Sequence, residues 1–134
     1  MKEDNDVRDD VRIELAVSEL RLSVCKFDEI PAGLADGAFF AITRTADELS
    51  VVCETDRVVD GAIAREDGWR MLKVAGPLDF GLVGILARIS SALADAGVPL
   101  FAISTYDTDY VLVKEGDLRC AMSALRDAGC VVSK

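Results

Sequence analysis

Few side chains in this sequence have the type and spacing that a reaction needs. There is no histidine, so neither a Ser-His-Asp nor a Cys-His arrangement can form. Cys25, Cys53, Cys120 and Cys130 contain no C-x-x-C pair, and zinc sites usually draw on such pairs or on histidine at short spacing. No metal is expected. Cys25 falls in an apolar strand and Cys120 in an amphipathic helix, where a free thiol is commonly a small core residue. The loop Gly76-Pro-Leu-Asp-Phe-Gly81-Leu-Val-Gly84 lacks the Gly-Lys-Ser/Thr ending of a phosphate cradle. Asp107 and Asp109 form the kind of carboxylate pair that general acid–base chemistry uses, but they sit on a turn with no evident water-excluding pocket. No catalysis and no cofactor are expected; a binding role is.

Composition narrows the class of ligand. The chain has 134 residues, 51% of them hydrophobic, and a formal net charge of −9. That is enough to bury a core, and it is not the composition of a disordered chain. The acidic balance argues against nucleic acid and against an anionic membrane surface, since both need a basic patch. No window approaches the roughly 18 apolar residues of a membrane span. The N-terminal residues do not read as a secretory signal, so a cytoplasmic home is expected. The first fourteen residues hold six carboxylates and three cations, and residues 1–19 are expected to be a solvated polar lead-in.

The elements that must position any site show an internal echo. Phe40-Ala-Ile-Thr43 and Phe101-Ala-Ile-Ser104 align at an offset of 61. The same offset pairs Glu48 with Asp109, Val52 with Val113, Glu54 with Glu115, Arg65 with Arg126 and Gly68 with Gly129. An ungapped echo of this length implies two copies of one supersecondary unit. Leu20–Phe27 alternates as a strand with Leu20, Leu22, Val24 and Lys26 on one face. Strands are expected at 38–44 and 48–54 around the turn Thr45-Ala-Asp47, with a weak helix over 56–65 interrupted by Gly61. Trp69–Ala75 reads as a strand that closes the first copy, opens the second or serves both, and opening the second is favoured.

The second copy is more regular. Leu82, Ile85, Leu86, Ile89 and Leu93 form one apolar stripe on a helix over 82–96, which Gly97 closes in a left-handed cap before Pro99. Strands follow at 98–105 and 108–114 about the corner Tyr106-Asp107. Leu118, Ala121, Met122 and Leu125 share a face of a helix over 117–128, which Gly129 ends, and Cys130–Val132 is a short last strand. The order β-α-β-β-α-β predicts an α+β fold with two ferredoxin-like units, over 20–68 (with a short first helix) and 69–134. Each unit is expected to be an antiparallel sheet with helices on one face.

Two motifs carry a family likeness: Leu78-Asp-Phe-Gly-Leu-Val-Gly-Ile-Leu86 and Phe101-Ala-Ile-Ser-Thr-Tyr-Asp-Thr-Asp-Tyr-Val-Leu-Val113. On a βαββαβ unit present twice, they resemble tandem ACT domains, and in particular the small stand-alone bacterial ACT proteins. The second unit is similar to those of the CASTOR arginine sensors and of lysine-sensitive aspartate kinases. The likeness covers about residues 20–132 and is strongest over 69–129. It implies regulatory binding of a free amino acid where two ACT units meet, a homodimer, and action in trans on a regulated protein that the sequence does not name.

Mapped onto this chain, the resemblance places the effector against a loop of Leu78, Asp79, Phe80, Gly81 and Leu82. Ala102, Ile103, Ser104 and Thr105 would follow from the next strand, with Thr108 and Asp109 beyond the corner. Thr43, Arg44, Asp47 and Glu48 hold the equivalent places in the first copy. Amides at the start of the helix could hold a carboxylate, and Asp79 or Asp109 an ammonium or a basic side chain. An acidic pocket would favour lysine or arginine. Plainer roles stay open: Asp79 as the helix N-cap, Phe80 as a core residue, Asp109 as a turn residue. An oligomerisation module with no retained ligand site is the alternative function.

Overall fold

Alternation at the start of the chain is masked by charge. Ile13, Leu15 and Val17 alternate with Arg12, Glu14 and Ala16, the period that turns one set of side chains to a single face of a strand. The structure is a computed structural model that describes residues 12–33, 36–58, 60–76 and 83–134. In it Glu14–Val17 is a strand, β1, and Ile13 and Leu15 are buried. Residues 12–17 of the expected lead-in are therefore part of the folded body. The other strands and α-helices among the described residues are β2 (Leu22–Phe27), β3 (Phe40–Arg44), β4 (Leu49–Glu54), β5 (Ala64–Val74), α1 (Ile85–Asp95), β6 (Phe101–Ser104), β7 (Asp109–Lys114), α2 (Leu118–Asp127) and β8 (Val131–Ser133). No helix among the described residues is long and apolar enough to cross a membrane.

The chain divides into two compact units. One is Glu19–Trp69; the other joins the residues before Glu19 to Arg70–Lys134. In this second, C-terminal unit, β6 pairs with β7, β7 with β5, β5 with β1 and β1 with β8. β1 runs antiparallel to β5, with Leu15 opposite Val74, and parallel to β8, with Leu15 opposite Val132. The expected antiparallel sheet thus gains a fifth strand and a parallel pair. α1 contributes Ile85, Ile89 and Leu93 to the core, and α2 contributes Ala121, Met122 and Leu125. These pack with Leu72, Val74, Val111 and Val113, so the helices bury the apolar stripes that their spacing predicts. α1 begins at Ile85 rather than at 82, with Gly84 as its N-cap residue. Gly97 and Gly129 close the two helices at φ 75° and 96°, a conformation that costs glycine nothing.

The N-terminal unit orders its strands β3-β4-β2 and then the first half of β5. Phe40 pairs with Cys53 across β3 and β4, and Cys25 with Val51 across β2 and β4. Among the described residues this unit holds no α-helix. The helix expected over 56–65 is replaced by a 3-10 turn at Thr55–Arg57, a turn through Gly61 at φ 103°, and β5 from Ala64. The strands β2, β3, β4 and β5 follow one another in the order of a ferredoxin-like unit, with no α-helix between them among the described residues. Its buried core is Cys25, Phe27, Leu49, Val51 and Cys53. On β2 the residues facing that core are Cys25 and Phe27, whereas Lys26 is exposed.

A polar cluster supplements this small core. The Ser23 hydroxyl, fully buried, donates to Asp67 Oδ1 at 2.6 Å and lies 2.9 Å from Thr55 Oγ1. Arg65 Nε donates to the same Asp67 oxygen at 2.9 Å. β5 serves both units. Its Arg65 and Glu66 pair with β2, while Leu72, Lys73 and Val74 pair with β1. Within the expected segment 69–75, Trp69 pairs with Leu22 of β2, and the residues from Arg70 onward fall in the C-terminal unit.

Candidate functional site

Both hairpins turn on two residues flanked by a threonine. In the C-terminal unit the Thr105 amide donates to the Thr108 carbonyl at 2.8 Å, and its hydroxyl donates to the same oxygen at 3.0 Å. In the N-terminal unit the Thr45 amide donates to the Glu48 carbonyl at 2.9 Å. Its hydroxyl oxygen accepts from the amides of Asp47 and Glu48, each at 3.1 Å. The corners therefore match Thr45 with Thr105 and Asp47 with Asp107, one residue away from the sequence echo. Glu48 corresponds to Thr108 and not to Asp109; Arg44 corresponds to Ser104. The identity of Phe-Ala-Ile draws the alignment one way, while the turn sets the register the other way.

In the C-terminal hairpin Ser104 and Asp109 lie directly opposite one another. Ser104 and Thr105 are exposed and Asp109 is half-buried. Thr108 is buried, and its hydroxyl donates to the Val74 carbonyl at 2.6 Å. That bond ties the corner to the end of β5 and commits the Thr108 hydroxyl to the fold. Sequence reasoning gave Thr108 a ligand role and missed this anchor, because the acceptor is a backbone group distant in sequence. Beside Asp109, the Tyr110 ring has Lys73 Nζ 6.0 Å from its centroid, a distance at which a cation is attracted to the ring face. Among the described strands β6 pairs with β7 alone.

The expected loop residues Leu78, Asp79, Phe80, Gly81 and Leu82 lie outside the described residues. The N-cap position of α1, weighed for Asp79, belongs to Gly84. In the N-terminal unit Thr43, Arg44, Asp47 and Glu48 are all exposed. The cysteines separate by environment. Cys25, Cys53 and Cys130 are buried, and Cys120 is exposed on α2, which corrects its expected place in the core. Burial, with the neighbouring Cys25 second, pushes the Cys53 thiol up to about 11. Burial also raises Cys25 and Cys130. Thiols held in this way are protonated and unreactive near neutral pH.

A family model described as the ACT domain matches residues 64–127, from the start of β5 to the end of α2. A second model, described as an N-terminal domain, matches residues 20–60. The crystal structure of protein Atu0741 from Agobacterium tumefaciens is 34% identical, covers 92% of this chain and 95% of that one, and superposes with a TM-score of 0.85. The chain belongs to the ACT-domain family. Its ACT match takes in the strand and hairpin that carry Val74, Ser104, Thr105 and Asp109, and leaves out β1 and β8.

This ACT protein is similar over part of its length to a named sensor, and in fold to a named regulatory subunit. The cytosolic arginine sensor for mTORC1 subunit 1 from Rattus norvegicus is 34% identical over 95 residues, which are 66% of this chain and 29% of that protein. The chain thus spans less than a third of the length of that relative. The regulatory subunit of aspartate kinase from Thermus thermophilus shares the fold at a TM-score of 0.58 and 12% identity, covering 85% of this chain and 95% of that one.

Proposed function

We propose that this ACT protein senses a free amino acid at an interface between ACT units and acts in trans on a partner protein. The observation that carries the proposal is the β6–β7 corner. The exposed Ser104 stands opposite the half-buried Asp109 carboxylate, and the Thr105 hydroxyl closes the corner beside them. The Thr108–Val74 bond holds that corner against the C-terminal end of β5. Asp109 offers an acceptor for an α-ammonium or a basic side chain, and Asp107 adds negative charge nearby. Arginine is the first effector to test, since a curated relative is named as an arginine sensor. A second copy joining its sheet to this one edge to edge would give a homodimer.

A melting-temperature panel of the full chain against the twenty amino acids tests this reading. An effector at about a hundred times its Kd stabilises by about 2.7 kcal/mol, a shift of several degrees for a protein of this size. Asp109→Asn should reduce that shift while leaving the melting temperature of the free protein within a degree or two. A flat panel from a stable dimer would defeat the sensor reading in favour of a module that only assembles. If Asp109→Asn binds the effector as well as the parent does, the assignment of the site is wrong.

A further inference from the structure

A different surface of the C-terminal unit concentrates positive charge in an acidic protein. A cavity of about 610 Å³ is lined by Arg70, Arg119, Arg126 and Lys134 over a floor that includes Leu118 and Met122. Four of the fifteen Lys and Arg residues of a chain of net charge −9 thus converge on one place. They arrive from three parts of the fold: Arg70 from β5, Arg119 and Arg126 from α2, and Lys134 from beyond β8. Arg119 and Arg126 stand two turns apart on one stripe of α2, with Met122 and Ser123 between them. The cavity also holds the carboxylates Glu115 and Asp127, so cations outnumber anions among its side chains.

Two of the three guanidiniums are held in place without being neutralised. The Arg126 Nη2 group donates to the Val132 carbonyl at 2.8 Å, and Arg70 Nη2 to the Ser18 carbonyl at 3.0 Å. Among the described residues neither these two arginines nor Arg119 has a carboxylate within ion-pair distance. Arg70 Nε is buried with no hydrogen-bond partner among them. A carbonyl fixes a guanidinium but leaves its charge intact, so these contacts organise the cations rather than discharge them. A helix C-terminus favours Arg126, but it does not account for the gathering of the other three. The volume falls within the range of small-molecule sites.

We infer that this cavity binds a small organic oxyanion of at least two negative charges, the anionic groups on Arg119 and Arg126 and the apolar part on Leu118 and Met122. Phosphate and carboxylate oxygens share the geometry that a guanidinium fork recognises. Separate titrations of the ¹⁵N-labelled full chain with inorganic pyrophosphate and with citrate distinguish them, with sodium chloride at matched ionic strength as reference. The expected result is a saturable shift of amides in 118–127 and 131–134, with a Kd below about 1 mM for at least one probe. Saturation by pyrophosphate alone identifies a phosphate ligand, and by citrate alone a polycarboxylate.

Arg119→Gln should weaken binding about tenfold or more. It is the cleaner variant, because Arg126→Gln also removes the bond to Val132. Arg119→Lys, which keeps the charge and loses the fork, should fall between the parent and Arg119→Gln. Shifts that sodium chloride reproduces, no saturation by either probe, or unchanged binding by folded Arg119→Gln would each overturn the assignment.

Discussion

The two hairpins turn through the same threonine-flanked corner, yet they rest on different foundations. Behind the C-terminal hairpin lie two helices and a core built around Ile89, Leu93, Val111 and Leu125. Behind the N-terminal hairpin lie Cys25, Phe27, Leu49, Val51 and Cys53, supplemented by the Ser23–Asp67–Arg65 cluster. A shared turn therefore does not imply shared support. The corner geometry comes from a few local hydrogen bonds, whereas the cover depends on whether the connecting segments can form amphipathic helices. The C-terminal segments do; the described N-terminal ones do not.

The sharpest challenge to that comparison is a pair of truncations. Leu93→Ala should cost several kcal/mol, toward the upper part of the roughly 2–5 kcal/mol range for buried leucines, since the side chain is held by helix and sheet. Leu49→Ala should fall in the lower part of the same range, where a small core collapses around the gap more easily. Denaturant unfolding of both variants decides the matter, and equal losses would mean that the N-terminal unit is as tightly packed as the other.

Alkaline pH probes the smaller core next, because two of its buried side chains are thiols. The Cys53 pKa is raised by burial from 9.0 to about 11. The folded state therefore favours the protonated thiol, and the stability it contributes is complete below pH 9. It drains away between about pH 9 and 11, by on the order of 2 kcal/mol, as the unfolded thiol ionises first. Cys53→Ala should flatten that part of the stability–pH curve; a slope that survives the substitution would place its origin elsewhere. The smallest effect is expected from Ser23→Ala, about 1 kcal/mol, because the exposed face of Asp67 keeps Arg65 and gains water. A loss of several kcal/mol would make the polar cluster the chief support of its unit.

Much of this was visible in the residues. The stripes Ile85-Ile89-Leu93 and Ala121-Met122-Leu125 predicted two helices, and Gly97 and Gly129 predicted where they end. The hairpins followed from alternating apolar residues on either side of short polar corners. What failed did so for physical reasons. β1 has only a few apolar residues among charges, too short a run to stand out until a sheet receives it. The helix over 56–65 was weak, and the left-handed turn at Gly61 and the pairing of Ala64–Glu66 with β2 overrode it. The one-residue error in the echo came from counting identities, whereas the corner hydrogen bonds fix which residues correspond. At the candidate site, Ser104 and Asp109 were legible as strand residues, but the engagement of Thr108 by Val74 was not, since its acceptor carries no sequence signal.

The strand β1 has a consequence for biosynthesis. It lies between β5 and β8, so the C-terminal unit is made from chain on both sides of the Glu19–Trp69 unit. As the polypeptide leaves the ribosome, the segment carrying Ile13 and Leu15 emerges before either strand that it pairs with. The neighbouring unit can pair its own strands in the meantime, but β1 must wait until β5 has been made for its first partner and until β8 for its second. During that interval an apolar edge is on offer to any other chain, and the charges interspersed along it, Arg12 and Glu14, are placed where they would discourage such an encounter.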